Sequence, residues 1–441
     1  MEDKLLPAQQ PRIGFQYFPD TMHYRNSDLI RWLPEVQSLA ASWVTLYAPD
    51  DHAIPEPFIT GLIKSNIQPI LHFHSSTSKP PQAANLKALL KAYSSWGVRY
   101  IVFFDRPNQL GNWSPAGWAQ DKLVERFLDI YLPCVEAALS CGLSPVLPPL
   151  EPGGNYWDTA FLRDLLLAIT RRGYSSLLNH MTLSAYACAG NHPLNWGAGG
   201  PERWPSTRPY FTPNDSQDQR GFRIFDWYLA ISNAILGRPL PVILFGAGCH
   251  PDEISDARYP AVSLEAHTAR HMEIAHALAG EESELEDIPT EIMVCNFAPL
   301  FAAPGYPEAS HAWFQVSGNT FPVVETMRNW ALSHNPITIS STSASGPGRF
   351  NPHPIAHYLL LTEELWSKQG KSSVILRTFL QKFKPAIGFS PAEAVFARRV
   401  TIFGNLQSFP EVVVDQLTSA GCLVERIQED GTVIAPNSTE L

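Results

Sequence analysis

Four places in this chain gather side chains that could do chemistry. The densest is Arg99 to Trp118, RYIVFFDRPNQLGNWSPAGW, where an aromatic and β-branched run stops at Asp105, Arg106, Pro107 and Asn108, with Trp113 close behind. The second is PPLEPGGNYWD, in which prolines that restrict the backbone frame Glu151, and Tyr156 and Trp157 follow. The third is FGAGCHPDE, carrying Asp252 and Glu253, and the fourth is LHFH, carrying His72 and His74. Carboxyl groups beside a guanidinium and aromatic rings suit proton transfer and the recognition of hydroxylated ligands. The plainer reading of Asp105 and Arg106 is a local ion pair, and that of Glu151 is a partner for Arg106 or Arg203 without chemistry.

Metal chemistry has less behind it. Period two puts His72 and His74 on one side of a strand, and His23 or His250 would have to complete a ligand set. With no matching set in sight, hydrogen bonding to a ligand or to Asp105 is the expected role of the pair. His267 and His271 share a helix face in HTARHMEIAH but fall mid-helix, which favours packing or solvation, and H-E-x-x-H is absent. Neither a metal nor a cofactor is expected.

The elements that must position these groups repeat as one unit. Strand-like runs at 12–18, 43–48, 68–74, 99–105, 144–149, 180–187, 240–246 and 291–298 alternate with helix-period segments at 27–39, 55–65, 84–96, 120–141, 158–172, 219–236, 262–279 and 322–333. Asp158 supplies a start signal for the fifth helix. Eightfold alternation predicts an α/β fold of the closed (β/α)₈ type, a TIM barrel. An open doubly wound sheet would commonly carry G-x-G-x-x-G after its first strand, and GFQYFPD is not that fingerprint. In a barrel the strand ends converge on one mouth, so Asp105, Glu151 and Tyr186 should meet there.

Two connections are long enough to be functional, 188–218 and 299–321. The first mixes Trp196, Trp204, Tyr210 and Phe211 with His192, Asn195, Arg203 and Arg208, and the second carries Trp313. Aromatic faces beside amides and guanidinium groups suit sugar rings, so at least two of Trp113, Trp157, Trp196 and Trp313 are expected to be exposed in a cleft.

Composition bounds the rest. At 441 residues the chain fits one large domain and a small one, and 45% hydrophobic content supports a sizeable core. A net charge of −10 with no Lys/Arg run offers no footprint for a phosphate backbone, so nucleic acid is excluded as a partner. No run approaches the roughly 18 apolar residues of a membrane span, and the N-terminus lacks a signal-like apolar core; a cytoplasmic protein with no membrane partner is expected. Cys134, Cys141, Cys188, Cys249, Cys295 and Cys422 are scattered without a C-x-x-C pair and read as reduced core residues.

The run from the fourth to the sixth strand resembles the clan A glycoside hydrolases, retaining (β/α)₈ enzymes such as those of family 39. The family's strand ending Asn-Glu-Pro-Asn with a Trp soon after corresponds here to Asp105-Arg106-Pro107-Asn108 and Trp113. Its strand entering Gly-Pro, its helix near Phe-Leu and its strand ending His-x-Tyr correspond to Pro148-Pro149, Phe161-Leu162 and Ser184-Ala185-Tyr186. Its Thr-Glu-x-Gly corresponds to Phe245-Gly246-Ala247-Gly248. The resemblance covers residues 12 to 335 in layout and implies a carbohydrate or glycan ligand.

The same alignment puts Arg106 at the family's acid/base position and Gly246 at its nucleophile position. Retaining hydrolysis needs two carboxyl groups about 5 to 5.5 Å apart, and an arginine keeps its proton near neutral pH. If the chain cleaves glycosidic bonds, the work falls to relocated carboxylates: Glu151, Asp105 and Asp252. Arg106, Asn108, Trp113, Tyr156, Trp157, Tyr186, Trp196, His72, His74 and Trp313 are the expected substrate-binding residues. A glycan-binding pseudoenzyme and a protein-interaction barrel are the alternatives, and protein partners are left open.

After the barrel, expected at 10–335, the segment Asn335 to Pro354 is Ser/Pro/Gly-rich and reads as a linker. Helices are expected in HYLLLTEELWSKQ and SVILRTFLQKF, closing a 336–385 region. VTIFG, EVVVDQLTSAG and CLVERI then predict a small βαβ unit within 386–436. That unit resembles one copy of the type 2 cell-wall-binding repeat; a structural cap is the plainer reading.

Overall fold

The computed structural model describes residues 12–334 and 355–434, apart from 363–364, 367–370, 407, 429 and 431. The expected linker at Asn335 to Pro354 lies outside the described residues. The chain divides into two compact units, 1–338 and 339–441.

The first unit is an eight-stranded parallel barrel. Its strands are β1 (Ile13–Gln16), β2 (Trp43–Tyr47), β3 (Gln68–Phe73), β4 (Tyr100–Phe103), β5 (Ser144–Val146), β6 (Leu183–Cys188), β7 (Val242–Gly248) and β8 (Ile292–Phe297). They lie in the order β5-β4-β3-β2-β1-β8-β7-β6. The remaining seam, between β5 and β6, is closed by a single parallel bridge at Val146 and Thr182, where the Leu147 N–H donates to the Thr182 carbonyl at 2.8 Å. β5 is the shortest of the eight because Pro148 and Pro149 follow it and have no N–H to extend the ladder.

Alternation along each strand builds two cores. Trp43, Ile70, Val102, Val146, Ile243, Phe245 and Val294 fill the barrel interior, while Phe15, Leu71, Ile101, Leu183 and Leu244 join the larger layer shared with the helices. Gly14 is required by this packing. A Cβ there would stand 2.4 Å from Asn296 Oδ1 and 2.9 Å from Trp43 Cβ, so its absence admits the indole to the interior.

The connecting helices match the periodic segments closely, with two shortened starts. The fourth begins at Leu123, because Lys122 takes a left-handed conformation, and the sixth begins at Ile224 after a run of turns. Asp158 opens the Asp158–Arg171 helix but is not its cap. Its carboxylate accepts from the Gly153 N–H (2.9 Å), Gln219 Nε2 (2.7 Å) and the Tyr228 hydroxyl (3.1 Å), tying two loops and a helix together.

The second unit is a five-stranded sheet: β9 (Tyr358–Leu360), β10 (Ala386–Gly388), β11 (Arg399–Phe403), β12 (Leu423–Ile427) and β13 (Val433–Ile434), ordered β10-β9-β11-β12-β13. Only the β12–β13 pair is antiparallel. The unit is therefore larger than the βαβ that the sequence predicts, and HYLLL is a strand where a helix was expected. A short apolar run buried on both faces has no period by which to tell the two apart, and its parallel pairing with β10 and β11 decides it.

Candidate functional site

The C-terminal ends of the barrel strands and their loops enclose a cavity of about 1000 Å³, at the upper end of the range for small-molecule sites. Asp105, Glu151 and Tyr186 all line it, together with Arg106, His74 and Trp196.

The floor is built on strained backbone. Just past β4, Phe104 and Arg106 both have positive φ, 66° and 43°, a conformation that costs a non-glycine residue on the order of 1–3 kcal/mol. The twist sends the Phe104 ring outward against Phe127 and Tyr131, while the Arg106 N–H is held by the Pro149 carbonyl at 2.9 Å. The Arg106 guanidinium then lies over the Tyr186 ring, 4.2 Å from its centroid. Its Nε stands 2.9 Å from Glu151 Oε2, and a terminal nitrogen stands 3.6 Å from Asp105 Oδ2. The other Asp105 oxygen accepts from the Tyr186 hydroxyl at 2.7 Å. One cation thus serves both floor carboxylates, so Asp105 and Glu151 are not a free pair with a water between them.

Electrostatics follows the packing. Burial raises the Glu151 pKa; Arg106 pulls it back, and Asp105 adds to the rise. Burial opposes the Arg106 charge, but Tyr186, Asp105 and Glu151 outweigh it and the guanidinium stays protonated. Burial chiefly, with Asp105 adding, holds Tyr186 well above the usual phenol range.

The histidines join the floor from β3. The Phe104 carbonyl can only accept, so His72 donates from Nε2 (2.8 Å), and its Nδ1 accepts from His74 Nε2 at 3.2 Å. His72 is buried beneath the cavity and orients His74, which lines it. A substrate contact for His72 is therefore a correction: the ring is a support, walled off by its own hydrogen bonds.

The structure also moves other expected site residues out of the cavity. Asn108 is fully buried and spends its amide on the backbone, accepting from the Glu151 N–H and donating to the Glu151 and Tyr156 carbonyls, all at 2.9 Å. It is a latch that fixes the Glu151 loop. Tyr156 turns away to donate to Asp164 Oδ2 at 2.5 Å, its ring edge-on to Phe161. Asp252 is exposed and does not line the cavity, whereas its neighbour Glu253 does. Asp252 takes φ +61° at the head of the turn, which swings its side chain outward.

The four tryptophans do not form an exposed set. Trp313 is fully buried among Phe15, Phe297 and His271, because the loop after β8 folds back over the barrel wall. Trp157 is 8% exposed and lies against Tyr210 and Arg220, outside the cavity lining. Trp113 is half-buried, its indole N–H held by the Pro107 carbonyl at 2.8 Å, and it lines a separate recess of about 300 Å³ beside His74 and Asp105. Trp196 alone of the four borders the main cavity, but it too is buried, 4% exposed, stacked on His192 at 4.1 Å and capped by Arg258, so the expected pair of exposed rings is not there. Asp256 holds that Arg258 (2.6 Å) and His192 (3.0 Å), and Asp218 holds Arg220 (2.6 Å), so the wall opposite the floor is also built of paired charges.

Several lining residues escaped sequence reasoning: Gln16, Tyr47, Cys188, Glu308 and His311. Gln16, Tyr47 and Cys188 are each the last or the last polar residue of β1, β2 and β6, and that position was the available signal. The six cysteines are unpaired; Cys134, Cys249, Cys295 and Cys422 are buried, but Cys188 opens on the cavity. No helix among the described residues is long and apolar enough to cross a membrane.

No protein-family model matches the chain, and no curated protein matches it. Among solved structures it is similar to a family 39 glycoside hydrolase from the gut symbiont Bacteroides cellulosilyticus WH2, with 10% identity and a TM-score of 0.47 over 73% of this chain and 63% of that one. It therefore spans less than two thirds of that protein's length. It is also similar to a monomeric β-xylosidase from Caulobacter crescentus CB15 (10% identity, TM-score 0.44, 73% of this chain and 68% of that one). A third is a family 128 (subgroup II) endo-β-1,3-glucanase from Sorangium cellulosum (14% identity, TM-score 0.40, 72% and 97%).

Proposed function

We propose that the barrel mouth binds a carbohydrate. The observation that carries the reading is the make-up of the cavity: paired carboxylate and guanidinium groups on its floor, and the stacked Trp196, His192 and Arg258 on its wall. Fixed charge pairs offer hydroxyl groups both donors and acceptors, and Trp196, only 4% exposed between His192 and Arg258, backs the wall they form. Trp196 makes binding directly observable. Tryptophan fluorescence titrated against a panel of neutral oligosaccharides should show saturable quenching with at least one of them, and Arg106→Ala should weaken that binding by roughly tenfold or more, the value of a lost charged hydrogen bond. A protein whose fluorescence responds to no member of the panel has a different ligand.

A hydrolytic form of the same reading would use Glu151, whose pKa burial raises above the ordinary carboxylate value while the Arg106 guanidinium at 2.9 Å draws it back. On that reading Glu151→Gln removes turnover by roughly 10²- to 10⁴-fold and changes binding by only about 1 kcal/mol. Saturable binding with no product released from any glycan makes the barrel a pseudoenzyme.

A further inference from the structure

A second group of donors lines the same cavity, away from the floor. Cys188 closes β6, and the register shift against β7 between Tyr186 and Cys188 brings the thiol to the cavity lining. His250 and Glu253 sit on the turn after β7. The His250 N–H donates to Glu253 Oε2 at 3.2 Å, and the Asp252 N–H to the Val262 carbonyl at 2.8 Å, so the turn is fixed from both sides. One ligand atom from each of Cys188, His250 and Glu253 lies within 4.8 Å of the others.

The spacing suits a particular ion. Zinc with sulfur at about 2.3 Å and carboxylate oxygen at about 2.1 Å in tetrahedral geometry has an S···O edge of about 3.6 Å. Cys188 Sγ and Glu253 Oε2 are 3.6 Å apart. His250 is stacked flat on His311 at 4.2 Å, and its Nδ1 is buried with no hydrogen-bond partner. The other grouping of this kind, His72, His74 and Asp105, already spends its groups on Phe104, on its own imidazole pair, on Tyr186 and on Arg106.

We infer that Cys188, His250 and Glu253 form a zinc site in the cavity wall, with a fourth position left for a water or a ligand hydroxyl. The donor set is one that a borderline-soft ion prefers over calcium or magnesium, which take oxygen. On binding, the thiol proton leaves to solvent and the sulfur–zinc bond replaces the S–H···carboxylate contact. The ion's two positive charges then meet one thiolate and one carboxylate, and the site is neutral. This departs from the metal-free expectation and does not rest on the carbohydrate reading.

The test uses the full chain, stripped with a chelator, and zinc alone. Calorimetry should show one equivalent bound at micromolar or tighter affinity. Cobalt(II) in its place should give a near-ultraviolet thiolate charge-transfer band, lost in Cys188→Ser and kept in Cys141→Ser. Glu253→Gln and His250→Ala should weaken zinc by more than the roughly 10- to 100-fold that loss of an outer-shell partner costs. Circular dichroism checks each variant, and if Cys188→Ser does not fold, Glu253→Gln and the wild-type cobalt spectrum carry the decision. No saturable uptake, a cobalt form without the thiolate band, or a folded Glu253→Gln that binds as wild type overturns the site.

Discussion

Arg106 sets the character of the cavity floor. A carboxyl group at that position would repel Asp105 and Glu151; the guanidinium draws both to itself and rests on the Tyr186 ring. The buried carboxylate that can be read through stability is Asp158. Burial raises its pKa from 3.8 to about 6, against the hydrogen bonds from Gly153, Gln219 and Tyr228. Between those two values the folded state holds the proton more tightly than the unfolded chain, so this group's contribution to stability falls as pH rises through the window. The loss is on the order of 3 kcal/mol. The stability of the wild type relative to Asp158→Asn, whose amide can donate to the Tyr228 oxygen, should fall by that amount between pH 4 and 7 in urea unfolding, on top of the rise that the buried His250, His267 and His271 give to both proteins. Parallel wild-type and mutant curves would contradict the assignment.

At the scale of elements, the β5 loop is placed by a side chain from the neighbouring strand's loop. Asn108 makes three backbone hydrogen bonds to the Glu151–Tyr156 segment, so the position of Glu151 depends on β4 as much as on β5. Asn108→Ala leaves the Glu151 N–H and the Tyr156 carbonyl without their partner, while the Glu151 carbonyl keeps the Gly154 N–H at 3.0 Å, at a cost of about 2 to 3 kcal/mol. Urea denaturation should show a lowered midpoint with an unchanged slope, and amide exchange should quicken in residues 151–156. A loss of stability with that exchange unchanged would mean that Asn108 acts elsewhere.

At the scale of the molecule, the 339–441 unit has a sheet covered on both faces. Val400, Ile402 and Val424 pack with Leu417 of the Glu411–Ser419 helix, while Leu359, Phe403 and Ile427 pack with Leu376 of the Lys371–Phe383 helix. Two closed cores in about 100 residues meet the ordinary requirement for independent folding. Produced alone, residues 339–441 should unfold in one cooperative urea transition with a slope of about 1 kcal/mol/M. A gradual, non-cooperative loss of signal would show that the unit needs the rest of the chain.

The sequence by itself determined the barrel. Hydrophobic period is a local property, and eight alternations of strand and helix leave few other ways to bury so many two-sided apolar strands. It also determined that Asp105, Arg106, Glu151 and Tyr186 would meet, since each ends a strand or opens the loop behind one. Only the tertiary structure decided what those groups do. Which way a side chain leaves a loop depends on backbone conformations such as φ 43° at Arg106 and 61° at Asp252, and on partners distant in sequence. Asp252 and Glu253 are adjacent, yet one faces solvent and the other the cavity. Asn108, Tyr156 and Trp313 carry the right chemistry for a site but are taken up by Glu151, Asp164 and the aromatic core. Cys188 read as a core residue until a register shift in β6 and the turn after β7 set it beside His250 and Glu253, a neighbourhood that no spacing along the chain records.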